Sequence, residues 1–318
     1  MSEPQITFAI PFLANVDYLQ EAITSVRHQS VPSWELLVVD DASDESPRRL
    51  INALGDQRVR YERNQLRLGL AQNWNRCLQL ANAPLVTLLH ADDRLHPLYA
   101  QHMLSVAARW PTAAAIATEA VVIGPNGQQT RTLADRVKAL ARRPDFDYLI
   151  AGDNGLAAIL RNNFVYSPTL CYRTALIGAN PFNNNWSMVT DLDLIARLLM
   201  DDQVIGVIRS PLYEYRRHPC STSAQLTQDT SRFREELALY QMLGTLASDR
   251  GWTLSATTAR RRWMIRCHLM LRCVEQVGTG RLRQARRLAT MLVSDVRRSA
   301  FVRQRVGPAN AGTKAPKR

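Results

Sequence analysis

The sequence has little that would anchor, staple or export the chain. Its five cysteines stand at 77, 171, 220, 267 and 273, with no C-x-x-C pair among them. That spacing offers neither a zinc knuckle nor a disulfide framework, and it fits a reducing, cytoplasmic compartment. The first residues lack the basic start and apolar core of a secretory signal. No window approaches the roughly 20 uncharged apolar residues needed to cross a bilayer. No G-x-G-x-x-G follows the first apolar run, which disfavours a dinucleotide cofactor. Acids are scarce at one end only. Residues 250–318 hold 17 Lys or Arg against Glu275 and Asp295, a balance of +15, so the overall +12 leaves −3 for the first 249 residues. The basicity belongs to a C-terminal extension and not to the body of the chain.

What is present is a repeated pattern of short apolar runs alternating with helical periodicity. Residues 6–10 read as a buried strand closed by Pro11, and Asp17 with Gln20 predicts the cap of a helix carrying Leu19, Ala22, Ile23 and Val26 to about Gln29. Trp34 to Val39 is a second strand running into Asp40 and Asp41. A helix to about Leu54, a short strand over 58–62 and a helix over 70–81 follow. Leu85 to Leu89 is then a strand with the composition of one buried on both faces, and it ends in His90, Ala91, Asp92 and Asp93 before Pro97. Strands alternating with helices of this length imply right-handed βαβ units and a mainly parallel sheet. Ligands of such sheets sit beyond the carboxyl ends of the strands. Two adjacent carboxylates there repel each other unless a cation or hydrogen bonds compensate, and a divalent ion shared with a phosphate does so economically. The plainer alternative is that the acids only cap the next helix.

Four blocks in order resemble family 2 glycosyltransferases. They are Ile10-Pro11 with Tyr18-Leu19, Glu21-Ala22-Ile23 and Gln29; Glu35 through Ser43; Asn64 with Leu68-Gly69-Leu70-Ala71 and Asn75; and Leu88 through Asp93 with Pro97. The resemblance implies a GT-A fold, an α/β (Rossmann-like) architecture with a mixed, mainly parallel sheet flanked by helices. It implies a nucleoside diphosphate sugar donor of UDP, dTDP or GDP type. Pro11 and Phe12 would line the nucleotide, Asp40 and Asp41 would receive base and ribose, and Asn64 and Arg67 would approach the base or diphosphate. His90-Ala91-Asp92 stands at the D-x-D position, with His90 in place of the first acid and Asp92 as the ligand of Mn²⁺ or Mg²⁺. Asp191, in a stretch resembling the family's E-D-x-D-L-x-x-R-L helix with Thr190 in place of the glutamate, would be the catalytic base. Asp193 would pair with Arg197. The run from Tyr215 to Ser221 resembles the family's Y-R-x-H-x-x-S ending, which implies His218 as a metal ligand and Arg217 or Arg216 as a diphosphate partner.

The implied activity is metal-dependent, inverting transfer of one sugar to a hydroxyl of a glycan or lipid-linked acceptor in bacterial surface polysaccharide or glycolipid synthesis. The expected organisation is a transferase domain over 1–225, a basic helical extension over 226–305 and a disordered tail over 306–318. Residues 130–153, polar and weakly periodic, leave an acceptor loop, a lid and an ordinary surface excursion all open. In the extension, Phe233 to Ala247, Trp263 to Val277 and Leu282 to Val296 each read as an amphipathic helix. Basic residues beside those faces suit an anionic membrane surface and a peripheral place on its inner face. The alternative is a nucleic-acid-binding or scaffold protein on a degenerate transferase domain. Three acids at strand and helix ends, Asp41, Asp92 and Asp191, argue against that and make nucleic acid the less favoured partner.

Overall fold

The computed structural model describes residues 3–130, 144–162, 164–218 and 230–305, with side chains to 297. Residues 131–143, the core of the polar segment left open as acceptor loop, lid or surface excursion, and the expected tail, 306–318, lie outside the described residues. Four strands build the first half of the sheet: β1 (Ile6–Phe12), β2 (Trp34–Asp40), β3 (Val59–Arg63) and β4 (Leu85–Leu88). They lie in the order β3-β2-β1-β4, all parallel. The crossovers are the helices α1 (Val16–Arg27), α2 (Arg48–Ala53) and α3 (Leu70–Leu80). Every residue of β2 and β4 is buried, because helices cover both faces of a parallel sheet. The expected strands and helices are therefore present here with boundaries displaced by one or two residues. One cap differs. Asn15, at φ 70°, accepts the Tyr18 amide at 3.0 Å on its side chain, so the cap of α1 is Asn15 and not Asp17. A short amide side chain tolerates the left-handed backbone that this tight entry requires.

Beyond β4 the sheet turns mixed. β5 (Arg94–Leu95) and α4 (Tyr99–Arg109) precede the long β6 (Ala113–Ile123). β7 (Tyr148–Ile150) and α5 (Gly152–Asn162) follow. Next come a single 3₁₀ turn (Ser167–Thr169), β8 (Cys171–Arg173) and α6 (Thr174–Ile177). α7 (Thr190–Met200) and β9 (Val204–Arg216) complete this half. β8 pairs antiparallel with both β4 and β6, and β6 runs parallel to β9. β9 reaches 13 residues and takes β7 on its first half and β5 on its second, both antiparallel. Its far end therefore lies next to the segment that leaves β4.

The extension consists of α8 (Ser231–Asp249), α9 (Thr253–Arg261), α10 (Trp263–Gly278) and α11 (Leu282–Arg305). Phe233, Leu239, Tyr240 and Leu243 of α8 join the same apolar cluster as Ile159 and Leu160 of α5 and Leu194 and Leu198 of α7. Large aliphatic or aromatic side chains buried in this way stabilise by about 1.5–3 kcal/mol each relative to exposure. The extension thus packs as a third layer against the body. α9 has no apolar stripe that sequence periodicity would pick out. Small buried residues, Ser255, Ala256 and Ala259, let it approach α8 closely.

Candidate active site

The strand ends of β1, β2 and β3 meet at two aspartates. Asp40 is wholly buried. Its Oδ2 accepts from Tyr61 Oη (2.6 Å) and Arg63 Nη1 (2.5 Å), and its Oδ1 accepts the Ser43 amide (2.8 Å). Asp41 is nearly as buried. It accepts Asn64 Nδ2 (3.0 Å) and the Leu68 amide (2.7 Å) on Oδ1, and the Gly69 amide (2.9 Å) on Oδ2. Asn64 Nδ2 also donates to Asn73 Oδ1 at 2.9 Å. Asp41 therefore draws the 64–69 loop across the strand ends. Within that loop Arg67 is exposed and forms no hydrogen bond or ion pair among the described residues. Pro11 is half-buried, whereas the Phe12 ring is buried in the core and only its backbone reaches the strand end, its carbonyl accepting the Asp41 amide at 2.8 Å.

At the end of β4 the chain divides its two acids differently. Asp93 is wholly buried, with Oδ2 accepting Tyr213 Oη (2.8 Å) and Oδ1 accepting the Arg216 amide (2.7 Å). Burial, and secondarily the charge of Asp92, push its carboxyl well above the usual range, against those two hydrogen bonds. Asp92 keeps 28% of its side chain exposed, and its Oδ2 lies 2.9 Å from His218 Nε2. His90, 3.8 Å from Asp93 through Nδ1, leans on the Trp74 ring at 5.5 Å between centroids. Burial lowers its pKa, and only the Asp92 charge opposes that shift. Ala91 is half-buried between them. His90, Asp92 and Asp93 offer ligand atoms within 4.8 Å of one another.

Arg216 holds this turn from below. Its guanidinium is buried and donates to the Asp92 carbonyl (2.7 Å), to the Pro125 carbonyl (2.8 Å) and to Glu21 Oε2 (2.6 Å), while it stacks over Tyr18. All of its donors are directed inward, so of the two arginines Arg216 braces the site. Arg217 is half-buried, with its amide on the Ile123 carbonyl at 2.9 Å. Tyr18 also lies 5.4 Å from the His218 ring, which fixes the imidazole beside Asp92.

Asp191 belongs to the first turn of α7, where helix amides stabilise a carboxylate. Burial raises its pKa, opposed by backbone amides, by the Ser167 hydroxyl and by the charge of Arg232. The antiparallel pairing of Thr87 with Cys171 brings the residues before β8 alongside those after β4, and the 3₁₀ turn carrying Ser167 packs on β4. An aromatic chain continues the link. Trp74 touches Phe182 edge-on at 5.0 Å, and Phe182 touches Tyr172 at 5.9 Å, next to Asp191. Thr190 is buried, and Asp193 pairs with Arg197 at 2.9 Å as expected.

Several residues of the site hold roles there that the sequence did not signal. Glu235 of α8 accepts the amides of Ser187 (3.0 Å), Met188 (2.7 Å) and Val189 (3.4 Å), the loop leading directly into Asp191. Tyr213 and Glu21 likewise gain their roles from partners some hundred or more residues away.

The acids gather at the carboxyl ends of the strands, where open α/β sheets place their ligands. The family model for glycosyl transferase family 2 matches residues 7–169, just over half of the chain. The chain therefore belongs to glycosyl transferase family 2, and its enzyme class is glycosyltransferase. The fold is shared with S. aureus TarS in complex with UDP-GlcNAc, at a TM-score of 0.58 and 16% identity over 75% of this chain and 66% of that one. Among sequences, protein MT1568 of Mycobacterium tuberculosis is 26% identical over 73% of this chain and 72% of its own length. The Escherichia coli UDP-Glc:alpha-D-GlcNAc-diphosphoundecaprenol beta-1,3-glucosyltransferase WfgD is 28% identical over 29% of this chain. The match spans only 37% of WfgD.

Proposed function

We propose that the protein is a metal-dependent, inverting glycosyltransferase. It moves a single sugar from a nucleoside diphosphate donor of UDP, dTDP or GDP type to a hydroxyl of a glycan or lipid-linked acceptor, in bacterial surface polysaccharide or glycolipid synthesis. It works from the cytoplasmic side, peripheral to the membrane. The observation that carries this reading is the partly exposed Asp92–His218 pair at the end of β4, with Asp191 on the neighbouring helix start. Donors named for relatives, UDP-Glc for WfgD and UDP-GlcNAc in the TarS complex, support the donor class. The basic extension supports the peripheral location, and no described helix is long and apolar enough to cross a membrane.

The residues fit a divalent ion. Asp92 and His218 direct ligand atoms to one place, and His90 lies at its edge. Asp93 is already committed to Tyr213 and the Arg216 amide. An imidazole in the set suits Mn²⁺ better than Mg²⁺. When bound, such an ion supplies charge neutralisation to a diphosphate leaving group. Arg67 and Arg217 can add hydrogen bonds to its oxygens. Asp191 accepts the acceptor's hydroxyl proton as that oxygen bonds to the anomeric carbon. The bond from that carbon to the diphosphate breaks on the opposite face, and the nucleoside diphosphate leaves.

Asp191→Asn tests the assignment. Donor affinity by calorimetry should stay within about twofold, while turnover falls by about 10²-fold or more, the range for a lost general base. In the wild-type enzyme the acid limb of kcat/KM should lie above the ordinary Asp value of about 3.9, because burial raises the pKa and activity is lost as pH falls through it. Equal losses of binding and turnover would make Asp191 a structural residue.

A further inference from the structure

We infer that α10, with the start of α11, is a face that docks on an anionic phospholipid bilayer. α10 is apolar on two opposite sides. Ile265 and Leu269 are buried against the body. On the other side Trp263 (71% exposed), Met270 (52%), Val274 (69%) and Val277 (54%) recur at steps of seven, four and three residues, which places them in one stripe along the helix. Leu271 and, across the turn into α11, Leu282 widen it at 63% and 65% exposure. A soluble surface rarely leaves so many large apolar side chains contiguous, and the buried side already serves the core. Among the described residues nothing covers the outer stripe.

The surroundings of the stripe select the occupant. Arg261 precedes it and Arg281, Arg283, Arg286 and Arg287 follow it, all exposed and without an ion pair among the described residues. Arg262 and Arg266, by contrast, are both paired with the buried Asp295. Where α5, α9 and α10 meet, a cleft of about 540 Å³ is lined by Arg161, Arg261, Trp263 and Met264 among others. Two guanidiniums beside an indole suit a lipid phosphate at the headgroup level. A second copy of this chain would bring like charges together. A nucleic acid would use the arginines and leave Leu271 and Val274 in water. An anionic bilayer satisfies both features at once: the stripe lies in the interface and the arginines meet lipid phosphates.

This deepens the peripheral location proposed above, yet it uses none of the donor-site residues, so either reading can fail while the other stands. The experiment sediments the full chain with vesicles of phosphatidylcholine alone or mixed with phosphatidylglycerol. Binding should be at least about tenfold tighter to the mixed vesicles, fall with salt and shift Trp fluorescence to the blue. Trp263→Phe should abolish that shift. The double variant Leu271→Glu/Val274→Glu should lose vesicle binding, and Arg161→Gln/Arg261→Gln should weaken it, with circular dichroism and nucleoside diphosphate affinity unchanged. Equal binding to both vesicle types, or none at low salt, would overturn the inference. So would a dimer in light scattering that Leu271→Glu dissolves, or RNA retention together with absent vesicle binding.

Discussion

The chain uses one pattern twice, a buried parallel strand running into two adjacent aspartates, and the two copies end differently. After β2 both carboxylates are consumed internally. Asp40 pins Tyr61 and Arg63, and Asp41 gathers the amides of the 64–69 loop. After β4 only Asp93 is consumed, by Tyr213 and the Arg216 amide, and Asp92 keeps water on one side and His218 on the other. The difference is what the fold brings opposite. β2 borders β3 and a loop full of backbone donors, whereas the segment leaving β4 runs through β5 along the end of β9, whose Tyr213 hydroxyl and Arg216 amide go to the carboxylate of the second acid. Adjacent carboxylates cannot both remain charged and unsatisfied. Protein groups bury and compensate both in the first pair, whereas in the second Asp92 stays partly exposed beside His218, the arrangement on which the proposed metal site rests.

The comparison can be broken at its most buried member. Asp93→Ala strands the Tyr213 hydroxyl and the Arg216 amide in the core, at about 1–3 kcal/mol for each unsatisfied group, so stability by denaturant titration should fall by about 2–5 kcal/mol. Asp93→Asn should recover most of that. Burial raises the pKa of the native carboxyl well above the usual range, and an amide of the same shape can still accept the Arg216 amide while its NH₂ meets the Tyr213 oxygen. An Asn variant as unstable as the Ala variant would show that Asp93 is held as a carboxylate.

A smaller effect, of a different kind, should follow at its neighbour. Asp92→Asn leaves a partly exposed polar side chain in place, so stability should hold. Mn²⁺-dependent affinity for nucleoside diphosphate, read by calorimetry, should drop by about 10- to 100-fold or more. Unchanged affinity would place any metal elsewhere.

The smallest change is expected in the first pair. Asp41→Ala frees the Leu68 and Gly69 amides to bond water, so the stability cost should be about 1 kcal/mol. The 64–69 loop should then exchange its amide hydrogens faster, with weaker donor binding through a less well-placed Arg67. Unaltered exchange in residues 64–69 would mean that the loop holds its shape without the carboxylate.

Much of the first half was legible in the sequence because its information is local. A fully buried strand needs an apolar run, a crossover helix needs a 3.6-residue stripe, and both lie within a dozen residues of Leu85 or Leu36. The positions of Asp40, Asp41, Asp92 and Asp191 at the ends of elements were readable for the same reason. Strands as short as Arg94–Leu95 and Tyr148–Ile150 carry too few residues for a period, and they exist only because β9 offers them an edge. The cap at Asn15 depended on one backbone angle, which residue type alone did not reveal.

The sequence by itself determined the alternation of strands and helices, the acids at their ends, and the separation of a near-neutral body from a strongly basic extension. The tertiary structure decided which acid stays partly exposed, that Arg216 points inward, that Glu235 holds the entry to Asp191, and which side of α10 stays exposed among the described residues. The physical reason is distance along the chain. Periodicity and composition act within one element. A carboxylate's role is set by donors that arrive from more than a hundred residues away, as Tyr213 and Arg216 do for Asp93, and no local pattern encodes that arrival.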